Sequence, residues 1–133
     1  MRSFATACAA LSLLATAAQA AEIKTGRDLA NACRTQDPEG KLPNDCDTFV
    51  KGFFVSLAET QRARTDAMVK GIPYTSKEAC VRMPDHLTRK DMAARIVTFV
   101  ANNVDANDQA ATIVAQRTLE HDFPCPQQTP APR

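Results

Sequence analysis

The chain has 133 residues, with Lys+Arg 16 against Asp+Glu 15 and a pI near 7.6, so it carries neither the basic excess of a nucleic-acid or anionic-membrane binder nor a long acidic tail. That length holds one domain, large enough to bury a core and small enough to profit from cross-links, and five cysteines are present to make them.

Arg2 opens the chain and is followed by an apolar run over residues 4–18 and by Ala18-Gln19-Ala20, a small-x-small cleavage pattern. The run is shorter than the ~20 apolar residues of a membrane span and is interrupted by Thr6, Ser12 and Thr16. Residues 1–20 therefore read as a secretory signal peptide, and the expectation is an exported protein with no membrane insertion after its removal. Cys8 lies early in the run, where a lipid-modified cysteine would follow it, and is lost with the signal. Losing Arg2 lowers Lys+Arg from 16 to 15, equal to Asp+Glu, so the mature chain is formally neutral. Cys33, Cys46, Cys80 and Cys125 remain, and an even set in an exported chain reads as disulfides with three possible connectivities.

In "TGRDLANAC", Thr25 is placed to cap a short first helix, with Asp28 three residues on in a capping-box arrangement, and the helix is expected to end near Cys33. Residues 34–45 contain Pro38, Gly40 and Pro43 and form a loop. Asn44 or Asp45 is expected to cap a second helix reaching about Met68, whose Cys46, Phe49, Val50, Phe53, Phe54 and Leu57 follow helical spacing. Residues 70–86, with Gly71, Pro73 and Pro84, are irregular. Thr88 and Asp91 repeat the cap pattern before a third helix with Met92, Ile96, Phe99 and Val100 inward, closed by Asn102 and Asn103. Asn107 or Asp108 is expected to cap a fourth helix that buries Ala111, Val114, Ala115 and Leu119 and stops at residues 123–126, "FPCP". Residues 127–133, with Pro130 and Pro132, read as a disordered tail. No segment alternates as a strand would, so the class is all-α: a small four-helix, disulfide-stapled domain over residues 21–126.

Helices joined by modest loops are usually antiparallel neighbours. That layout puts the end of the first helix beside the start of the second, and the start of the third beside the end of the fourth. It predicts Cys33 paired with Cys46 and Cys80 with Cys125.

Gly52 falls inside the second helix, where glycine costs about 1 kcal/mol relative to alanine. Thr48, Gly52, Ser56 and Thr60 recur every four residues and form a ridge of small side chains that would admit another helix closely. Two readings follow. Either the second helix is central and the first helix or the C-terminal end covers this ridge, or the ridge is a contact in a homodimer or with a partner.

Catalytic signals are poor: there is no Gly-rich phosphate loop, no H-E-x-x-H and no G-x-S-x-G. His86 and His121 could join Cys80 and Cys125 as a zinc set, but oxidation of the cysteines competes with it, and no cofactor is expected. A binding protein is the better class than an enzyme. Arg62, Arg64, Lys70 and Lys77 surround the irregular segment, and Tyr74 within it has the character of an interface anchor; Arg64, Lys70, Tyr74 and Lys77 are the candidate partner-binding residues.

Taken as an ordered set, these residues resemble the Tai/Rap family of type VI secretion immunity proteins. The resemblance rests on Leu29 to Cys33, on Cys46 with Phe49, Gly52 and Phe53, on Cys80 with Pro84, Leu87 and Thr88, and on Leu119 with Phe123, Pro124 and Cys125. It implies a helical, disulfide-bonded periplasmic protein, often dimeric, that neutralises a peptidoglycan amidase effector by covering its active-site cleft. The chain departs from the family pattern in two extra residues between Cys80 and Pro84 and in lacking a proline around Val104 and Asp105. The rival reading is a periplasmic chaperone similar to the HdeA acid-stress proteins, which are also small, exported, helical and disulfide-bonded.

Overall fold

The computed structural model describes residues 22–34, 38–72 and 81–125. The expected signal and tail lie outside them, as do Tyr74, Lys77 and Cys80. The described residues form four α-helices and no strand: α1 (Gly26–Arg34), α2 (Asn44–Val69), α3 (Arg89–Asn102) and α4 (Ala111–Asp122), with a 3₁₀ turn, Val104–Asp108, before α4. The all-α class expected from the sequence is the fold observed.

Two of the helix starts are built as their capping pairs direct. Thr25 Oγ1 accepts the Asp28 amide at 3.2 Å while the Asp28 carboxylate accepts the Thr25 amide at 3.0 Å. Thr88 and Asp91 make the same reciprocal pair, at 3.1 Å each way. Each pair satisfies two backbone groups, one of them an amide that the helix leaves without an internal partner.

The other two starts differ from expectation. Pro43, not Asn44 or Asp45, is the N-cap of α2: its fixed φ of −55° leads directly into the helix, and no side chain caps it. Asp45 and Asp47 instead lie in the first turn, where a carboxylate favours the positive helix end. Asn107 and Asp108 do not cap α4, because they belong to the 3₁₀ turn. Backbone pairing with the start of α1 sets this end: the Ala111 amide donates to the Lys24 carbonyl at 2.9 Å and the Gly26 amide to the Gln109 carbonyl at 2.8 Å. A tertiary contact has replaced the local cap.

The core is centred on the shortest helix. Leu29, Ala30 and Cys33 of α1 are buried against Met92, Ala93, Ile96 and Val100 of α3 and Val114, Ala115 and Leu119 of α4. Thr118 is also buried, its hydroxyl donating to the Val114 carbonyl at 2.8 Å. The inward faces expected for α3 and α4 are therefore the faces observed.

The second helix is not central. Only Cys46 and Val50 of α2 are buried, while Phe49, Phe53, Phe54 and Leu57 are half-buried at the edge of the core. At 26 residues α2 is about 39 Å long, against about 21 Å for the 14 residues of α3. The two begin level, since Arg89 at the start of α3 pairs with Asp47 in the first turn of α2 at 2.8 Å. The later turns of α2 therefore outrun the helix on which it packs.

Cys33 and Cys46 form a disulfide with Cα atoms 5.0 Å apart, joining the end of α1 to the start of α2 as the layout predicted. On the loop-entropy account such a bridge contributes about 3 kcal/mol. Cys125 is also disulfide-bonded. Near it the segment that leads into α3 meets the segment that leaves α4: Val81 and Pro124 form an antiparallel bridge, and the Arg82 amide donates to the Phe123 carbonyl at 2.9 Å.

Candidate partner-binding surface

Among the described residues no helix covers the small ridge of α2. Thr48, Gly52, Ser56 and Thr60 line one wall of a groove of about 510 Å³, and Thr112, Ile113 and Gln116 of α4 line the other. Phe49, Phe53, Leu57 and Leu119 supply apolar surface, Val81 closes one side, and Arg64 and Gln61 stand towards the far end of α2. Among the described residues nothing lies within 4 Å of where a Gly52 Cβ would be. Among the described residues no helix packs on this glycine: α2 leans on the core through its first turns, leaving a gap between its ridge and α4.

The end of α2 forms a second surface. Met68, Val69 and Ile72 are 75%, 82% and 56% exposed. The backbone there is fixed by a Schellman closure in which the Ile72 amide donates to the Ala67 carbonyl at 2.9 Å and the Gly71 amide to the Met68 carbonyl at 3.1 Å. Gly71 takes φ +68°, a conformation that side-chain-bearing residues adopt only with strain. Three apolar side chains are thus presented on a defined helix end, with Lys70 as the C-cap between them. Of the candidate partner-binding residues, Lys70 is here and Arg64 lines the groove, half-buried; Tyr74 and Lys77 lie outside the described residues. Sequence reading assigned this end its basic residues and missed the apolar ones, although "AMVKGI" places all three within one turn of a Gly terminator.

A third feature is a charged cluster where α4 ends. Arg95 Nη1 lies 2.7 Å from one Asp122 oxygen and His121 Nδ1 2.8 Å from the other. The Arg95 guanidinium is 4.6 Å from the centre of the Phe123 ring, and His121 meets the edge of Phe99. Burial works to raise the Asp122 pKa, but hydrogen bonds from His121 and Arg95, with the Arg95 charge, outweigh it and hold the carboxyl below its ordinary value. Since Cys125 is disulfide-bonded and His121 faces Asp122, the zinc set of Cys80, His86, His121 and Cys125 loses a thiolate. Among the described residues no group of His, Cys, Asp and Glu is arranged to hold a metal ion.

Among the described residues the surface therefore offers an apolar groove and an apolar helix end. The model of the Rap1a immunity proteins matches residues 25–125. The chain belongs to the Rap1a immunity protein family. The match runs from the Thr25 cap to the last cysteine, the same stretch over which the ordered motifs resemble Tai/Rap proteins. No curated protein and no solved structure matches the chain. Membership implies an immunity protein, whose task is to bind a cognate effector. Where the sequence departs from the family pattern near Val104 and Asp105, the Rap1a-family chain has its 3₁₀ turn, held by a 2.8 Å contact between Asp105 and Arg117. No helix among the described residues is long and apolar enough to cross a membrane.

Proposed function

We propose that this protein is a periplasmic immunity protein that binds a type VI-secreted peptidoglycan amidase and blocks its active-site cleft, with no turnover of its own. The observation that carries the reading is membership of the Rap1a immunity family over residues 25–125. The surface supports it: Met68, Val69 and Ile72 are exposed apolar side chains on a closed helix end, the kind of residue that anchors a protein contact, and Lys70 lies between them. The contact surface in this account is the end of α2 together with the segment that follows it, including Tyr74 and Lys77.

The test is co-elution of the oxidised mature protein with a candidate peptidoglycan amidase effector, sought among the type VI-secreted enzymes encoded near its gene. A complex of fixed composition on size exclusion supports the proposal. Separate elution of the two, with suppression of aggregation in strong acid by this protein alone, would transfer it to the HdeA-like chaperone reading.

A further inference from the structure

The backbone closure at the end of α2 is an ordered feature with no use inside the core. Leu57 is the last apolar side chain of α2 packed against the core among the described residues, and Met68 lies about 16 Å of helix beyond it. Met68, Val69, Lys70, Gly71 and Ile72 are all exposed. Yet the chain takes one defined shape there: the Ile72 amide returns to the Ala67 carbonyl and the Gly71 amide to the Met68 carbonyl, with Gly71 at φ +68°. Among the described residues nothing lies within 4 Å of where a Gly71 Cβ would be, so a side chain would meet open space, and the backbone angle alone selects glycine. Glycine gives up more conformational freedom on ordering than any other residue, and no core burial at this end offsets that cost.

We propose that Gly71 is a positioning residue for effector binding: its left-handed turn folds the chain back so that Ile72 lies against the last turn of α2, forming one preformed apolar contact with Met68 and Val69. This rests on the reading above that the end of α2 meets the amidase. Gly71 acts through the placement of Ile72 and not through a contact of its own. A surface already ordered in the free protein loses less conformational freedom on association than one the partner must order, so preformation is read out as affinity.

The test compares Gly71→Val, whose branched side chain resists a positive φ, with Gly71→Asn, which tolerates it. In the free oxidised mature chain, hydrogen exchange of the Ile72 amide is expected to quicken in Gly71→Val and to stay unchanged in Gly71→Asn. The melting temperature and the exchange of α3 and α4 amides should be the same in all three proteins. Affinity is then measured by calorimetry against the amidase recovered by co-elution. The dissociation constant is expected to rise about tenfold in Gly71→Val and to return to within about twofold of the unsubstituted value in Gly71→Asn. The proposal is overturned if Ile72 exchange does not change in Gly71→Val, if that variant binds as tightly as the unsubstituted chain, or if Gly71→Asn binds as weakly as Gly71→Val. Met68→Gln with Val69→Gln, titrated in parallel, separates this proposal from its premise. Undiminished binding by that variant means the end of α2 is not the contact, and both readings fall. Weak binding by it beside tight binding by Gly71→Val removes the role of Gly71 alone.

Discussion

Two glycines have opposite roles although both lie in helices. At Gly26 a Cβ would collide with the Ala106 carbonyl oxygen and lie 2.8 Å from Val114 Cγ2, so the absence of a side chain is what lets α1 meet the 3₁₀ turn and α4. Gly26→Ala is expected to cost about 1–3 kcal/mol by overpacking. At Gly52 a Cβ meets nothing within 4 Å among the described residues, and Gly52→Ala is expected to gain up to about 1 kcal/mol of helix propensity. Urea unfolding of the two variants checks both signs. Asp122 supplies the pH-dependent case. As the last residue of α4 it opposes the helix dipole, so its Arg95 and His121 partners hold it ionised. A folded pKa below the ordinary value means stabilisation that is complete above the ordinary carboxylate range and is lost as pH falls through the lowered folded value. Asp122→Ala should therefore lower stability by about 1 kcal/mol at pH 7 and by nothing measurable once the wild-type carboxyl is protonated. Melting temperatures across acid pH read this directly.

Among the elements, the capping boxes at Thr25 and Thr88 were legible because the signal is local: a hydroxyl and a carboxylate three residues apart. The starts of α2 and α4 were not, because Pro43 acts through its ring and Ala111 through a carbonyl 87 residues away in sequence, on Lys24. The apolar spacing of α2 was read correctly as helix, and of the two readings it left open the one that made this helix central is not the packing observed. Periodicity shows which face is apolar, not how far a neighbouring helix extends to cover it, and α3 is 14 residues long against 26 for α2. The excess length is what exposes the apolar end. Met68→Gln with Val69→Gln is expected to leave the melting temperature within a degree or two, since both residues are exposed and glutamine is a neutral helix former, while weakening binding to the effector by more than ~2 kcal/mol. Isothermal titration calorimetry beside a thermal melt separates the two effects.

For the whole molecule, the Cys33–Cys46 disulfide ties the first hairpin together. Cys33–Cys46 was legible because it lies at a junction fixed by loop length. The same logic assigns Cys80 to Cys125, and the Val81 to Pro124 bridge brings the residues beside them together. Peptide mapping without reductant is expected to recover that link with no free thiol in the mature chain. The groove between α2 and α4 was not legible, because the small ridge is visible in sequence while the gap opposite it is a property of how α4 packs. Function is carried by the whole set of motifs over residues 25–125, and it leads to one decisive measurement. Peptidoglycan hydrolysis by the proposed amidase effector, once identified by co-elution, should be followed as oxidised mature protein is titrated in. The account predicts that activity falls linearly and reaches zero at a fixed molar ratio; an amidase that keeps full activity in excess immunity protein would contradict it.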